Sequence, residues 1–322
     1  MKSEKSMEII KPNAQLCLFG YENYFKFFDK LYEKKRLPNS MLISGPKGLG
    51  KSTFIYHFIN YLLSKDEKYN YDKAKFSIDQ NNLTYKLIQN GTHANLFLLN
   101  AINNEENIKI EKIRKLLLFL NKSTYYKNLK IVLLDNAEYL NINSSNALLK
   151  AIEEPNKNTY FFIINNNSQK ILNTIKSRCI DFKINFNFFE KKNIFNKIVQ
   201  EYDVNFTEPD LENFLYFDTP GNLLNYLSIL KDSTYKITDN NLSCVSYFME
   251  LYTLKSDPKI LSFIALFIQN FYCQLSLKNS SLINNYYRNL NKILYLISDF
   301  KKFHLYKKNL IFSIDKIIKN ER

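Results

Sequence analysis

Hydrophobic positions in the first half of the chain fall into two alternating kinds of run. Short continuous apolar stretches at Met41–Ile43, Leu96–Leu99, Ile131–Leu134 and Tyr160–Ile164 have the length of buried strands, and Ile180, Phe182 and Ile184 alternate as a fifth. Between them, apolar residues recur every three or four positions, the spacing of one helix face. Phe54, Ile55, Phe58, Ile59, Leu62 and Leu63 form one such series, and Ile110, Ile113, Leu116, Leu117 and Leu120 another. A helix is also predicted over 144–154, with Ser144 or Asn143 as its N-cap and Pro155 as its stop, and a short one over 171–176. Upstream, Leu18, Phe19, Tyr24, Phe25, Phe28, Leu31 and Tyr32 predict a helix ending in Lys34-Lys35-Arg36, where positive charge suits the macrodipole. Residues 64–90 are polar, show no clear period and predict a weakly ordered excursion with one helix at most. Strands alternating with helices imply an α/β fold with a five-stranded parallel sheet.

Beyond about residue 188 the strand pattern stops. Helical periods then run through 190–201, 208–216, 222–231, 241–254, 257–277, 281–302 and 304–319, with Asp257-Pro258 as an N-cap and N1 start. The longest greasy stretch, Ile260–Leu277, is interrupted by Ser262, Gln269, Asn270, Gln274 and Ser276. It reads as a buried helix, so no membrane partner is expected.

The chemistry lies where the pattern changes. Ser44–Thr53 reads SGPKGLGKST, placed between the first strand and its helix. It contains G-x-x-x-x-G-K-[ST], Gly45 through Ser52. In that context the backbone N–H groups of Gly45, Pro46, Lys47, Gly48, Leu49, Gly50, Lys51, Ser52 and Thr53, proline excepted, can wrap a phosphate chain at a helix N-terminus. Gly48 and Gly50 permit the wrap, Lys51 can reach the β- and γ-phosphates, and the Ser52 hydroxyl can ligate Mg²⁺. The alternative is a glycine turn followed by a chance Lys-Ser pair. Asp135 ends the third strand, where a carboxylate can hold the water shell of Mg²⁺ beside the loop, although an aspartate capping the next helix would look the same. The next position, where an attacking water would need a base, is Asn136, and an amide cannot accept that proton. Glu138 could substitute if the turn is irregular. ATP binding with Mg²⁺ and without efficient hydrolysis is therefore the expectation.

Composition changes this picture little. Forty-five Lys and Arg against 31 Asp and Glu leave +14 in a chain of 322 residues, which favours an acidic partner such as nucleic acid. A Lys-, Asn-, Ile- and Tyr-rich usage without Trp, as an AT-rich genome produces, accounts for part of that excess. Cys17, Cys179, Cys244 and Cys273 form no C-x-x-C pair, so neither zinc nor a disulfide framework is expected. The N-terminal MKSEKSMEIIKPN lacks the apolar core of a signal peptide, and a cytoplasmic location is expected.

Leu18-Phe-Gly-Tyr-Glu, LPNSMLISGPKGLGKST, Gly91-Thr-His-Ala-Asn-Leu, IVLLDNAEYLN, NALLKAIEEP and FFIINNNSQKILNTIKSRC occur in the order found in a known family, across about residues 15–185. The chain resembles the AAA+ clamp-loader ATPases, in particular the delta-prime type of bacterial DNA polymerase III. The resemblance implies that Arg178 is an arginine finger acting in trans on a neighbouring subunit's site and that Asn166 is the sensor of the γ-phosphate. A charge at a helix C-terminus is the other reading of Arg178. It further implies a nucleotide-binding domain over 1–186, a helical lid over 187–235 and a helical collar over 236–322. Implied partners are the gamma/tau and delta subunits, the sliding clamp through the complex, and primed DNA, touched in part by helix N-termini such as that near Ser144 and Ser145. Asn136 in place of a glutamate, and Leu224 where motor subunits carry a sensor arginine, depart from the hydrolysing members. An active gamma/tau-type motor or helicase loader is the alternative. A P-loop nucleotide kinase would leave Ser-Arg-Cys unexplained.

Overall fold

The computed structural model describes residues 11–100, 108–122, 129–167, 171–202, 209–231, 241–255, 257–303 and 305–319. By their packing they divide into two compact units, Ile9–Glu201 and the chain from Tyr202 onward.

In the first unit, chain order runs α1 (Glu22–Glu33), β1 (Ser40–Ser44), α2 (Lys51–Leu63), α3 (Leu83–Gln89), β2 (Leu96–Asn100), α4 (Ile110–Asn121), β3 (Lys130–Asp135), α5 (Ile142–Glu153), β4 (Thr159–Asn165), α6 (Asn173–Lys176), β5 (Ile180–Lys183) and α7 (Phe188–Glu201). The five strands form one parallel sheet in the order β2-β3-β4-β1-β5. Strand residues alternate between two apolar faces. Met41, Ile43, Ile131, Leu133, Phe162 and Ile164 face a core shared with α1 and α2, through Phe25, Phe28, Phe54 and Phe58. Leu42, Val132, Leu134, Phe161 and Ile163 face the other way, onto Ile113 and Leu116 of α4 and Leu148 and Ile152 of α5. Both faces are covered, which is why these strands read as unbroken apolar runs. Register pairs Ser44 with Asn165 and Asn100 with Asp135, so the polar strand ends gather along one edge of the sheet.

Local chemistry moved some boundaries. Helix α5 starts at Ile142, earlier than predicted, because Asn141 is its N-cap and its side chain accepts from Ser144 N at 2.7 Å. Ser144 and Ser145 are buried within the first turn, and Ser144 Oγ donates to Ile108 O. Their hydroxyls are therefore not offered to an external phosphate. Residues 64–90 are better packed than their polarity suggests, burying Tyr71, Ile78, Tyr85 and Ile88. Asn82 and Glu67 satisfy the first N–H groups of α3, with Asn82 accepting from Tyr85 N and Glu67 from Leu83 N and Thr84 N. The buried Lys130 ammonium donates to the carbonyls of Phe119, Leu120 and Lys122, closing the C-terminal end of α4. Helix α7, the expected start of the lid, buries Ile194 in the core of this first unit.

The second unit is helical among the described residues. A 3-10 helix, Pro209–Tyr216, precedes α8 (Pro220–Lys231), α9 (Asn241–Lys255), α10 (Pro258–Lys278), α11 (Ile283–Phe303) and α12 (Lys307–Lys319). Helix α10 packs against α8, α9, α11 and the 3-10 helix. Its Ile260–Lys278 stretch has the length and composition of a membrane span, yet 56% of its most apolar window is buried inside the unit. Phe263 lies 4.4 Å from Tyr226 and 4.5 Å from Phe248, ring centre to ring centre, as in the core helix of a bundle.

Candidate nucleotide-binding site

The loop Gly45–Gly50 joins β1 to α2 at the polar edge of the sheet. Gly48 and Gly50 stand at φ 85° and 88°, in the left-handed region that glycine enters without steric cost. At Gly45 the reason is space, since a Cβ there would lie 2.5 Å from the Ile184 carbonyl oxygen. Pro46 and Lys47 are exposed at the crown, Leu49 is buried beneath it, and Ser52 and Thr53 are half-buried in the first turn of α2. The loop is also tied from outside the motif. Tyr21 Oη donates to Leu49 O at 3.0 Å while its ring stacks on Phe54, with centroids 4.9 Å apart.

Lys51 is 2% exposed and its ammonium donates to Gly45 O at 2.8 Å and Pro46 O at 2.7 Å. Burial lowers its pKa to about 8, against the opposing pull of Asp135 and Glu138 and with a small further push from Lys47. Asp135, at the tip of β3, accepts from Ser52 Oγ at 2.8 Å and from Asn136 N at 2.9 Å. Burial raises its carboxyl above the ordinary range, while the Ser52 hydroxyl, the Asn136 N–H and the Lys51 ammonium hold it down. A hydroxyl and a carboxylate in contact are hard oxygen donors suited to Mg²⁺. With a glycine loop that a single methyl would block and an ammonium lying along it, the residues fit a Mg²⁺-bound nucleotide.

The turn after β3 is irregular. Asn136 adopts φ 60° and ψ 52°, left-handed backbone that asparagine tolerates better than most residues, and a 3-10 turn, Ala137–Tyr139, follows. Asn136 Oδ1 accepts from Asn166 Nδ2 at 2.7 Å. The same turn buries Glu138, whose Oε2 accepts from Asn166 N at 3.2 Å, and whose charge acts on Lys51 and Asp135. Asn166, directly beyond β4, is therefore held through both backbone and side chain. Beside it, Asn165 Nδ2 donates to Asn167 Oδ1 at 2.9 Å, and a cleft of about 380 Å³ opens between Gly45, Pro46, Asn165, Asn167, Lys176 and Lys183.

The fold thus brings together the loop, Asp135 and Asn166, but not Arg178. Arg178 follows α6, with Nε 3.1 Å from Glu153 Oε1 and one terminal nitrogen donating to Thr174 O at 3.1 Å. In this conformation it serves the end of its own short helix. The sequence pattern did not reveal the role of Tyr21. Its position just after Gly20, itself left-handed at φ 78°, was the available signal.

The family described as DNA polymerase III, delta subunit, matches residues 20–187, which span the whole sheet and the loop. The chain belongs to that family. Among curated relatives, a DNA polymerase III subunit delta' of Pseudomonas aeruginosa is 32% identical over 44% of this chain and 42% of its own length. A DNA polymerase III subunit gamma of Buchnera aphidicola is 25% identical over 72% of this chain and 61% of its own length. The subunit delta' of Escherichia coli is 28% identical over 47% of this chain and 45% of its own length. The chain therefore spans about half the length of the curated relatives it matches.

Proposed function

We propose that the chain works as a delta-prime-type clamp-loader subunit of DNA polymerase III. In this reading it binds ATP or ADP with Mg²⁺, hydrolyses ATP poorly by itself, and acts in the cytoplasm with gamma/tau and delta subunits to place the sliding clamp on primed DNA. The observation that carries it is the junction at β3. Ser52 and Asp135 stand 2.8 Å apart as a cation-binding pair, yet the next side chain is an amide committed to Asn166, in place of a base facing water. Gly45, Lys51, Ser52 and Thr53 would hold the phosphates, and Ser52 and Asp135 the metal. Asn166 would stand beside the γ-phosphate, at the position of a sensor. Arg178 would swing from Glu153 to a neighbouring subunit's nucleotide, and a 30% exposed side chain held by surface contacts is free enough to do so. The helical residues beyond 201 would supply the lid and the collar.

Reconstitution tests the reading. A clamp loader assembled from gamma/tau, delta and this chain should load clamps on primed DNA, and omission of the chain should abolish loading. Rapid ATP turnover by the chain alone, without partners, would support an independent motor in its place.

A further inference from the structure

Asn166 is braced twice by the turn that follows β3. Its backbone N–H meets Glu138 Oε2 at 3.2 Å, and its carboxamide nitrogen meets Asn136 Oδ1 at 2.7 Å. The carboxamide cannot rotate toward an incoming phosphate without breaking the second bond. We propose that Asn136 is a positioning residue that makes this site indifferent to the γ-phosphate: it latches Asn166, so that ADP and ATP are held almost equally well. The proposal rests on the nucleotide-binding reading above and adds to it a specificity, nucleoside diphosphate accepted on a par with triphosphate.

The test is a double-mutant cycle read by calorimetric titration of the full chain with Mg²⁺-ADP and with a Mg²⁺-bound non-hydrolysable ATP analogue. The chosen change is Asn136→Gly, because glycine keeps the left-handed backbone while removing the acceptor. For the unaltered chain the ratio of the two affinities should lie within about threefold. Asn136→Gly should shift that ratio toward the triphosphate by roughly threefold to tenfold, the worth of one neutral hydrogen bond no longer sacrificed. The shift must vanish in Asn136→Gly/Asn166→Ala, since it acts through the Asn166 side chain, whereas a merely structural effect of the glycine would lower both affinities together and survive the second change. A wild-type preference for triphosphate above tenfold that Asn166→Ala removes would overturn the latch and leave nucleotide binding standing. Binding of neither nucleotide would overturn the underlying reading itself.

Discussion

Ser52 Oγ donates to Asp135 Oδ2 across 2.8 Å, joining the first turn of α2 to the tip of a strand 83 positions later in the chain. A divalent cation entering there replaces one short hydrogen bond with two oxygen ligands or their bound waters, so Mg²⁺ and nucleotide should bind together. Ser52→Ala and Asp135→Asn are each expected to reduce the Mg²⁺-dependent part of ADP affinity by about tenfold or more while leaving metal-free binding largely intact. Titration with a fluorescent ADP, with and without chelator, measures both parts. An unaltered magnesium dependence in both variants would remove the pair from the metal site.

Lys51 sets a pH dependence whose sign is fixed. Its pKa falls from an ordinary 10.5 to about 8 in the folded chain, so between these values the unfolded chain carries the extra proton and stability rises with pH. The nucleotide-free chain should gain stability from about pH 8 to pH 10 relative to Lys51→Met, which lacks this slope. Phosphate should reverse the shift by restoring charge to the ammonium. Nucleotide binding near pH 8.5 is then expected to take up a fraction of a proton, visible as a calorimetric heat that changes with buffer ionisation enthalpy, and affinity should fall above pH 8.

Two glycines separate crowding from conformation. Gly45→Ala would push a methyl to 2.5 Å from the Ile184 backbone oxygen, so the loop and β5 must part. Gly91 sits at φ 66° with open space where its Cβ would be. Urea unfolding should show a loss of about 1 kcal/mol for Gly91→Ala, from backbone strain alone, with nucleotide affinity unchanged. Gly45→Ala should cost more, roughly 1–3 kcal/mol, and should also weaken nucleotide binding at least tenfold. Equal effects of the two changes would refute the distinction.

Arg178 contacts Glu153, Thr174 and Ser177 at the surface. A partly exposed ion pair of this kind contributes about 1 kcal/mol, so Arg178→Ala should lower stability only slightly and leave the chain's own nucleotide affinity nearly unchanged. In a reconstituted clamp loader the same change should lower DNA- and clamp-stimulated ATP turnover substantially, because arginine fingers are worth roughly 10³–10⁵ in rate at the site they serve. Full turnover in the mutant complex would reduce Arg178 to a helix-end charge.

The sheet was legible because its strands are apolar on both faces, and runs such as Ile131–Leu134 admit few other placements. The loop was legible because its glycines, lysine and serine have fixed spacing and fixed flanks. What escaped depended on side chains meeting across long stretches of sequence. Asn141 as the cap of α5 lay two or three residues ahead of the expected Asn143 or Ser144, because all three side chains can cap and only the folded backbone selects among them. The order within residues 64–90 was hidden because Asn60, Asn82, Glu67 and Thr84 satisfy one another, and polar networks carry no hydrophobic period. The embrace of Asn166 by Asn136 and Glu138 requires a left-handed residue, and nothing in the letters DNAE specifies that the backbone turns there.

The phenol of Tyr21 reaches Leu49 O from a segment that precedes the strand, loop and helix of the motif altogether. Its ring fills the space between Phe54 on α2 and Phe186 just beyond β5. A fragment cut to begin at Leu37 would keep every residue of the phosphate-binding motif and still lose the pin that fixes its crown. Such a truncation would also strip Phe25 and Phe28 of α1 from the sheet's core, so it should lose stability together with nucleotide affinity, and a competent piece of this protein must include Tyr21.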